Sequence, residues 1–337
     1  MKIAVIGAGI MGASTAFACS ARGHSVTVFD QFPPENLHGS SHGNSRIVRK
    51  AYPDAFYTEI MQEGYRLWQE LQARAKNAIL FETGLVYFGK RSSAELEMVT
   101  ESLRSNGVEQ SLFEGSDFPI LRLCEDEVGY VTREAGWVFA SRAVATLLAL
   151  SGAKIVRQRV EDPGELLGQF DRVIVCAGAW AKRMFSLPVT VTRQTFAYVS
   201  TTTPVEGLVW IDDTHPMLYG FPSEPERSAI KIGVHNLGDE TSPDEAGQPN
   251  PSHLEMIREC ARKRFGITDP VLESPTTCLY TRTSNEDFLW GEVTSGVFWA
   301  SPCSGHGFKF GPWIGERMAD FAEGKMHPRD IPRFNLS

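Results

Sequence analysis

The chain has 337 residues, 42% of them hydrophobic and 22% charged, with a formal net charge of −8. That length supports a large buried core and, at ordinary domain size, two domains. The acidic balance argues against a nucleic-acid partner, which needs clustered Lys and Arg, and no apolar run reaches the roughly 18 residues that cross a bilayer.

Six cysteines, Cys19, Cys124, Cys176, Cys260, Cys278 and Cys303, lie far apart with no CxxC pair. No Cys/His cluster has zinc spacing, so no metal site is expected. Reduced thiols in a cytoplasmic protein are the simplest reading. The opening Met1 to Gly7 lacks a basic stretch before its apolar residues, which argues against a signal peptide.

Ile3 to Ile6 is a short apolar run of the kind that forms a buried parallel strand. Gly7-Ala8-Gly9-Ile10-Met11-Gly12 follows at once, Ala13 to Arg22 reads as a helix closed by Gly23, and Ser25 to Phe29 reads as a second strand ending on Asp30. The three glycines serve different ends. Gly7 permits a tight turn, Gly9 lets backbone approach a pyrophosphate, and Gly12 lets helix and strand pack closely. The helix N-terminus offers unpaired N–H groups to phosphates. Asp30 lies 18 residues beyond Gly12, where a carboxylate can accept hydrogen bonds from ribose hydroxyls. Gly7, Gly9, Ile10, Met11, Gly12, Asp30 and Gln31 are therefore expected against a dinucleotide. This motif leaves NAD(P) and FAD both open.

Two later segments fit the same open sheet. Arg172 to Cys176 is a buried strand running into the Ala177-Gly178 turn. Gly296 to Ser301 is another, leading through Ser304-Gly305-His306-Gly307 into a helix from Pro312 to Gly324. Ligands of such sheets sit at the carboxyl ends of strands, so these turns are expected to face the same cofactor.

The middle of the chain is richer in strands: Glu82 to Phe88, Phe196 to Ser200, Leu208 to Ile211, Met217 to Phe221 and Ala229 to Val234. Asp54 to Ala75 reads as an amphipathic helix carrying Phe56, Ile60, Leu67, Trp68 and Leu71. Capping boxes at Ser92 with Glu95 and at Ser252 with Glu255 open two more, to Ser105 and Phe265. Asn236 to Pro251 reads as a polar loop. The expected fold is α/β: a Rossmann-like cofactor domain of residues 1–81, 136–185 and 275–337, and a strand-rich α+β substrate domain of residues 82–135 and 186–274.

Four segments in order resemble the monomeric sarcosine oxidase and N-methyltryptophan oxidase family of D-amino acid oxidase-like flavoenzymes. They are His38-Gly39-Ser40-Ser41-His42-Gly43-Asn44-Ser45-Arg46-Ile47-Val48-Arg49; Tyr219-Gly220-Phe221-Pro222-Ser223 followed by Lys231-Ile232-Gly233-Val234-His235; Cys278-Leu279-Tyr280-Thr281; and Ser304-Gly305-His306-Gly307-Phe308-Lys309-Phe310. The resemblance implies FAD rather than NAD(P), and oxidation of a secondary or N-methyl amino acid to an imine, with O2 reduced to hydrogen peroxide. It implies a small-molecule substrate and O2 as partners, with no nucleic acid or membrane, in a monomer or small homo-oligomer.

The resemblance also assigns roles. Cys278 matches the cysteine that bonds covalently to the flavin. That bond needs a thiolate, so a nearby cation is expected to lower the thiol pKa. Arg49, in a loop after the second strand, and Lys309 match the pair that holds the substrate carboxylate, the one as a planar fork and the other as a point charge. Lys309 also counts among the cofactor contacts. Lys231 matches a lysine near flavin N5 that promotes reaction with oxygen, where a fixed cation stabilises superoxide. His42 and Arg46 match positions beside the flavin ring, and Ser41 is expected among the cofactor contacts. Tyr219, His235 and Tyr280 fall on the substrate side. Ala177, Gly178, Gly305 and Gly307 are expected along the cofactor, with His306 contributing backbone.

Two segments depart from the family pattern. Ile155 to Arg172 is compressed where the family carries a small β-meander over the cofactor, with the residue at Val160 against adenine. The turn from Ser223 to Lys231 is longer and contains Glu224, Pro225 and Glu226. The competing function is a flavin amino-acid dehydrogenase or deaminase that uses another electron acceptor.

Overall fold

The computed structural model describes residues 1–33, 36–214, 216–235, 237–245 and 247–336. Its first sheet has six strands in the order Leu289–Thr294, Val297–Ser301, Arg172–Val175, Lys2–Ile6, Ser25–Asp30, Lys154–Arg157. All neighbours pair in parallel except the edge strand Leu289–Thr294. The chain runs from Lys2–Ile6 to one side first and fills the other side later. The carboxyl end of Lys2–Ile6 is therefore the switch point at which such sheets bind ligands.

The helix Ile10–Ala21 begins three residues before the expected Ala13, with Gly9 as its N-cap. Gly12 lies inside its first turn because the turn passes under the strand: a Cβ at Gly12 would sit 1.8 Å from the Gly7 carbonyl oxygen. The helices Ile10–Ala21, Ala140–Ser151 and Gly311–Glu323 pack together beside this sheet, and Ala55–Arg74 packs on the last of them. Ala55–Arg74 buries Tyr57, Met61, Tyr65, Trp68 and Leu71, whereas Phe56, Ile60 and Leu67 are only partly buried.

A second, nine-stranded sheet carries the middle of the chain. Its centre alternates Thr190–Ser200, Ala229–Val234, Leu218–Phe221 and Val209–Asp212, antiparallel throughout. Thr190–Ser200 also pairs with Leu272–Arg282, the strand bearing Cys278. A domain boundary at 275 would cut this strand, which belongs with the second sheet along its whole length. Strand pairing over residues 272–282 is decided by a partner some eighty positions away, which local pattern does not show. The Ser45–Arg49 segment, expected as a loop, is a strand in a small third sheet with Ala135–Phe139 and Leu80–Phe81.

Two caps differ from expectation. Ser93, not Ser92, caps Ala94–Ser105 by accepting from the Leu96 amide at 3.1 Å. Asn250, not Ser252, caps Pro251–Phe265, with Pro251 at the first helical position. The expected polar loop begins at Asn236, which lies outside the described residues; its described part includes the short strand Asp239–Glu240. No helix among the described residues is long and apolar enough to cross a membrane.

Pro251–Phe265 is locked to the second sheet by a buried ion network. Arg264, 1% exposed, donates through Nε to Asp212 Oδ2 at 2.8 Å and through Nη2 to Glu127 Oε1 at 2.9 Å. Replacing Arg264 by Met would strip Asp212 of its cation and leave buried Glu127 only Lys263 at 3.7 Å. The expected loss is about 3–5 kcal/mol of folding stability, measured by urea denaturation.

Candidate active site

A cavity of about 1120 Å³ runs from the Gly7 turn to the contact between the two larger sheets. It exceeds the roughly 300–1,000 Å³ of an ordinary small-ligand site, as a dinucleotide with a second small molecule requires. Strand ends of the first sheet form one wall: Ile6-Gly7, Asp30-Gln31, Cys176-Ala177-Gly178 and Ser301-Pro302. Strands of the second sheet supply Tyr219, Cys278 and Tyr280 to the other, and His235 joins them from just beyond the end of Ala229–Val234.

At the nucleotide end the groups are already oriented. The Asp30 carboxylate accepts from the Ala8 amide at 2.6 Å and the Phe32 amide at 2.8 Å, leaving further lone pairs for ribose hydroxyls. Ser41 Oγ accepts from the Ile10 amide at 3.0 Å, and a Cβ at Gly9 would lie 3.1 Å from that oxygen. Gly9 is thus bare where a phosphate approaches the helix N-terminus. Gly7, Gly9, Ile10, Met11, Asp30, Gln31, Ser41, Val160, Ala177 and Gly178 all line the cavity, and these surfaces fit an FAD nucleotide. Gly12 does not line it, which agrees with a packing role.

The Ser40–Arg46 segment bridges to the middle of the cavity. Arg46 donates to the carbonyls of Ser45 at 2.8 Å, Ser40 at 2.9 Å and His42 at 2.7 Å. Ser40 Oγ in turn donates to the Leu279 carbonyl at 2.6 Å, tying the segment to the Cys278 strand. His42 is pulled down to about 4 by burial, then by Arg46 and Lys231, so its ring is neutral at physiological pH. Its Nε2 is buried with no hydrogen-bond partner. The expected depression of the Cys278 thiol is not met. Arg46 and Lys231 do lower it, but burial outweighs them and the thiol is raised.

The far end is cationic. Lys309, 5% exposed, donates to Tyr52 Oη at 2.9 Å and the His306 carbonyl at 2.7 Å, which leaves one N–H of its ammonium to offer. Arg49 lies 4.1 Å above the Tyr52 ring, and its Nη1 is buried without a partner. Burial and the neighbouring Arg49 push Lys309 well below the usual lysine range. His235 is pulled down to about 3 by burial, Arg49, Lys309 and Arg282, and its Nδ1 lies 3.4 Å from Tyr280 Oη. Tyr219 is pushed up to about 12 by burial and stays a neutral phenol. Its ring lies over Gly233, its partner across the strands, where a Cβ would sit 2.5 Å from the Tyr219 ring. Gly305, Gly307 and the His306 side chain line this end too, so His306 contributes more than backbone. Its imidazole bridges Tyr52 Oη at 3.3 Å and the Glu286 carbonyl at 3.0 Å.

Lys231, like Gly12, was expected at the site but does not line the cavity. Its ammonium lies behind Ser45, donating to the Ser45 carbonyl at 3.0 Å and Oγ at 3.1 Å. Sequence reasoning missed Tyr52, Ser45 and Glu224 as site residues. Tyr52 follows Arg49 by three residues, a signal that was present. Glu224 gave none, because its buried partners come from distant segments.

A family model described as FAD dependent oxidoreductase (DAO) matches residues 2–321. The chain is 26% identical to the peroxisomal sarcosine oxidase of Mus musculus, covering 99% of this chain and 95% of the relative. It is 27% identical to the N-methyl-L-tryptophan oxidase of Escherichia coli (strain SMS-3-5 / SECEC), covering 99% and 98%. Among solved structures, NikD, an unusual amino acid oxidase essential for nikkomycin biosynthesis, superposes with a TM-score of 0.84 at 20% identity, over 99% of this chain and 97% of that one. The L-proline dehydrogenase of P. horikoshii does so at 0.83 and 18%, over 100% and 99%. The glycine turn, the oriented Asp30 and the match over almost the whole length converge: the chain belongs to the family of FAD dependent oxidoreductases.

Proposed function

We propose that this flavoenzyme oxidises an amino acid carrying a secondary or N-methyl amine to the imine, with O2 taking up the electrons as hydrogen peroxide. The observation that carries this reading is the cationic pair at the end of the cavity. Arg49 Nη1 is buried without a partner, beside Lys309, whose protonated form has one N–H to offer. A buried donor without an acceptor costs stability unless a ligand completes it, and a carboxylate completes both. The curated relatives named as sarcosine and N-methyl-L-tryptophan oxidases point the same way.

Bound FAD supplies the acceptor for an electron pair from the substrate carbon beside the amine. The protein's part is positioning and electrostatics. Arg49 and Lys309 anchor the carboxylate, and Tyr52 fixes both by hydrogen bond and ring face. Their two positive charges also disfavour a protonated substrate amine, so the reactive neutral amine is favoured without a strong base. His235, held neutral, can share a hydrogen bond with that amine. Tyr219 and Tyr280 wall the pocket. Lys231 contributes its charge to the oxygen reaction through a dry wall, where Coulomb forces are weakly screened. Cys278 is the proposed point of covalent attachment, and the flavin's own electron-poor edge would complete the thiol activation that Arg46 and Lys231 begin.

A carboxylate restores protonation of Lys309, whose pKa is depressed in the cavity. Above that depressed pKa, binding must take up a proton. A non-oxidisable carboxylate such as acetate is expected to bind more weakly as pH rises, with proton uptake seen in calorimetry across buffers. Arg49→Ala should raise KM for the amino acid by about 10- to 100-fold, measured by steady-state assay.

After acid precipitation the yellow colour should stay with the chain, and Cys278→Ala should release it to the supernatant. An amino acid that bleaches the enzyme anaerobically should yield peroxide on admission of air. Bleaching without peroxide would instead support a dehydrogenase with another acceptor.

A further inference from the structure

The turn between Leu218–Phe221 and Ala229–Val234 carries a carboxylate that the proposed reaction does not use. Glu224 is 3% exposed. Its Oε1 accepts from Ser45 Oγ at 2.6 Å and Tyr198 Oη at 2.9 Å, and its Oε2 accepts from Asn44 Nδ2 at 2.9 Å. All three donors are neutral, and among the described residues no arginine or lysine pairs with it directly. One cation is a single hydroxyl away, because Lys231 Nζ lies 3.1 Å from the same Ser45 Oγ.

That hydroxyl has one proton. Since Ser45 gives it to Glu224, its lone pairs face Lys231, and the lysine must be the donor. The chain Lys231 to Ser45 to Glu224 therefore has a fixed polarity that suits an ammonium at one end and a carboxylate at the other. The other polar contact of the ammonium is the Ser45 carbonyl at 3.0 Å, and its flanks are the rings of Phe196 at 4.4 Å and Phe221 at 4.9 Å.

We infer that Glu224 is the positioning residue of Lys231: through the Ser45 hydroxyl its buried carboxylate fixes the ammonium behind Arg46 and Cys278 and keeps it charged. The inference rests on the reading that the Lys231 charge serves the oxygen reaction. A glutamine oxygen still accepts from Ser45 and Tyr198, and its amide nitrogen is matched once Asn44 turns its own oxygen inward, so what the carboxylate chiefly adds is its charge. The groups facing Lys231 are Arg46 from Ser45–Arg49, Arg227 from the same turn, Cys278 from Leu272–Arg282, Tyr198 from Thr190–Ser200 and His42 from the bridging segment. Arg46, Arg227 and burial all oppose the ammonium, and Glu224 is the carboxylate set against them. Burial first, and then Arg46, bring Lys231 down to about 7, so its charge state is open to control near neutral pH.

The test is a pH titration of enzyme labelled with 13C at lysine Cε, followed by NMR, with the Lys231 signal assigned by its absence in Lys231→Met. Glu224→Gln should lower the Lys231 midpoint by about one unit or more, whereas Glu224→Asp, which keeps the charge, should move it less. The rate at which O2 reoxidises the reduced enzyme should then fall about tenfold at mildly alkaline pH in Glu224→Gln. If that variant does not fold, Ser45→Ala breaks the same link and should lower the midpoint too. An unchanged midpoint in Glu224→Gln, or in Ser45→Ala where it substitutes, overturns the inference. Normal reoxidation in Lys231→Met overturns the oxygen role of Lys231 instead, and leaves a shifted midpoint standing as evidence for the Glu224 link.

Discussion

The crossing between the two ends of the cavity depends on one guanidinium. Arg46 spends its donors on three main-chain carbonyls, those of Ser40, His42 and Ser45. Bonds from a charged donor are stronger than neutral ones, and here they rigidify the crossing from the nucleotide sheet to the second sheet. Ser41 then meets the start of the first helix, Ser40 meets the Cys278 strand, and Ser45 meets Lys231. Loosening this one segment would uncouple the nucleotide end of the cavity from its reactive end.

The electrostatics of the site follow from an excess of buried positive charge. Arg46 and Lys231 lie beside Cys278, while Arg49 and Lys309 lie at the far end. Among the described residues, Glu224 is the one buried carboxylate bonded into the Ser45 cluster. Such a site is prepared for anions: a substrate carboxylate at one end, and charge developing on the cofactor and on oxygen at the other. It also accounts for the neutral histidines. His42, His235 and His306 are all pulled down by burial and by these cations, so they act as fixed hydrogen-bonding groups and not as charges.

Strand glycines set the shape of the reactive end. Gly233 leaves room for the Tyr219 ring, and Gly220 leaves room for Trp210. Both sit in motifs that also supply pocket residues, Tyr219 and Phe221 beside Gly220 and His235 beside Gly233.

The sequence by itself determined the nucleotide end. A strand, three spaced glycines, a helix and an acid are local in the chain, and local pattern is what sequence displays. It also marked Arg49, Lys309, His235, Tyr219, Tyr280 and Cys278 by resemblance, and all of these line one cavity. Helix starts differ from the sequence expectation by one to three residues, because caps depend on side-chain geometry that composition does not carry. Only the tertiary structure decided the rest. The Cys278 strand joins the second sheet through a partner about eighty residues earlier. Ser45–Arg49 becomes a strand because Ala135–Phe139 is there to pair with it. Lys231 stands behind Ser45, not in the cavity wall, and Glu224 is buried because Asn44, Ser45 and Tyr198 converge on it from remote segments. Burial and long-range pairing are properties of the packed chain, and they decided which of its charges face the ligand and which are held in reserve.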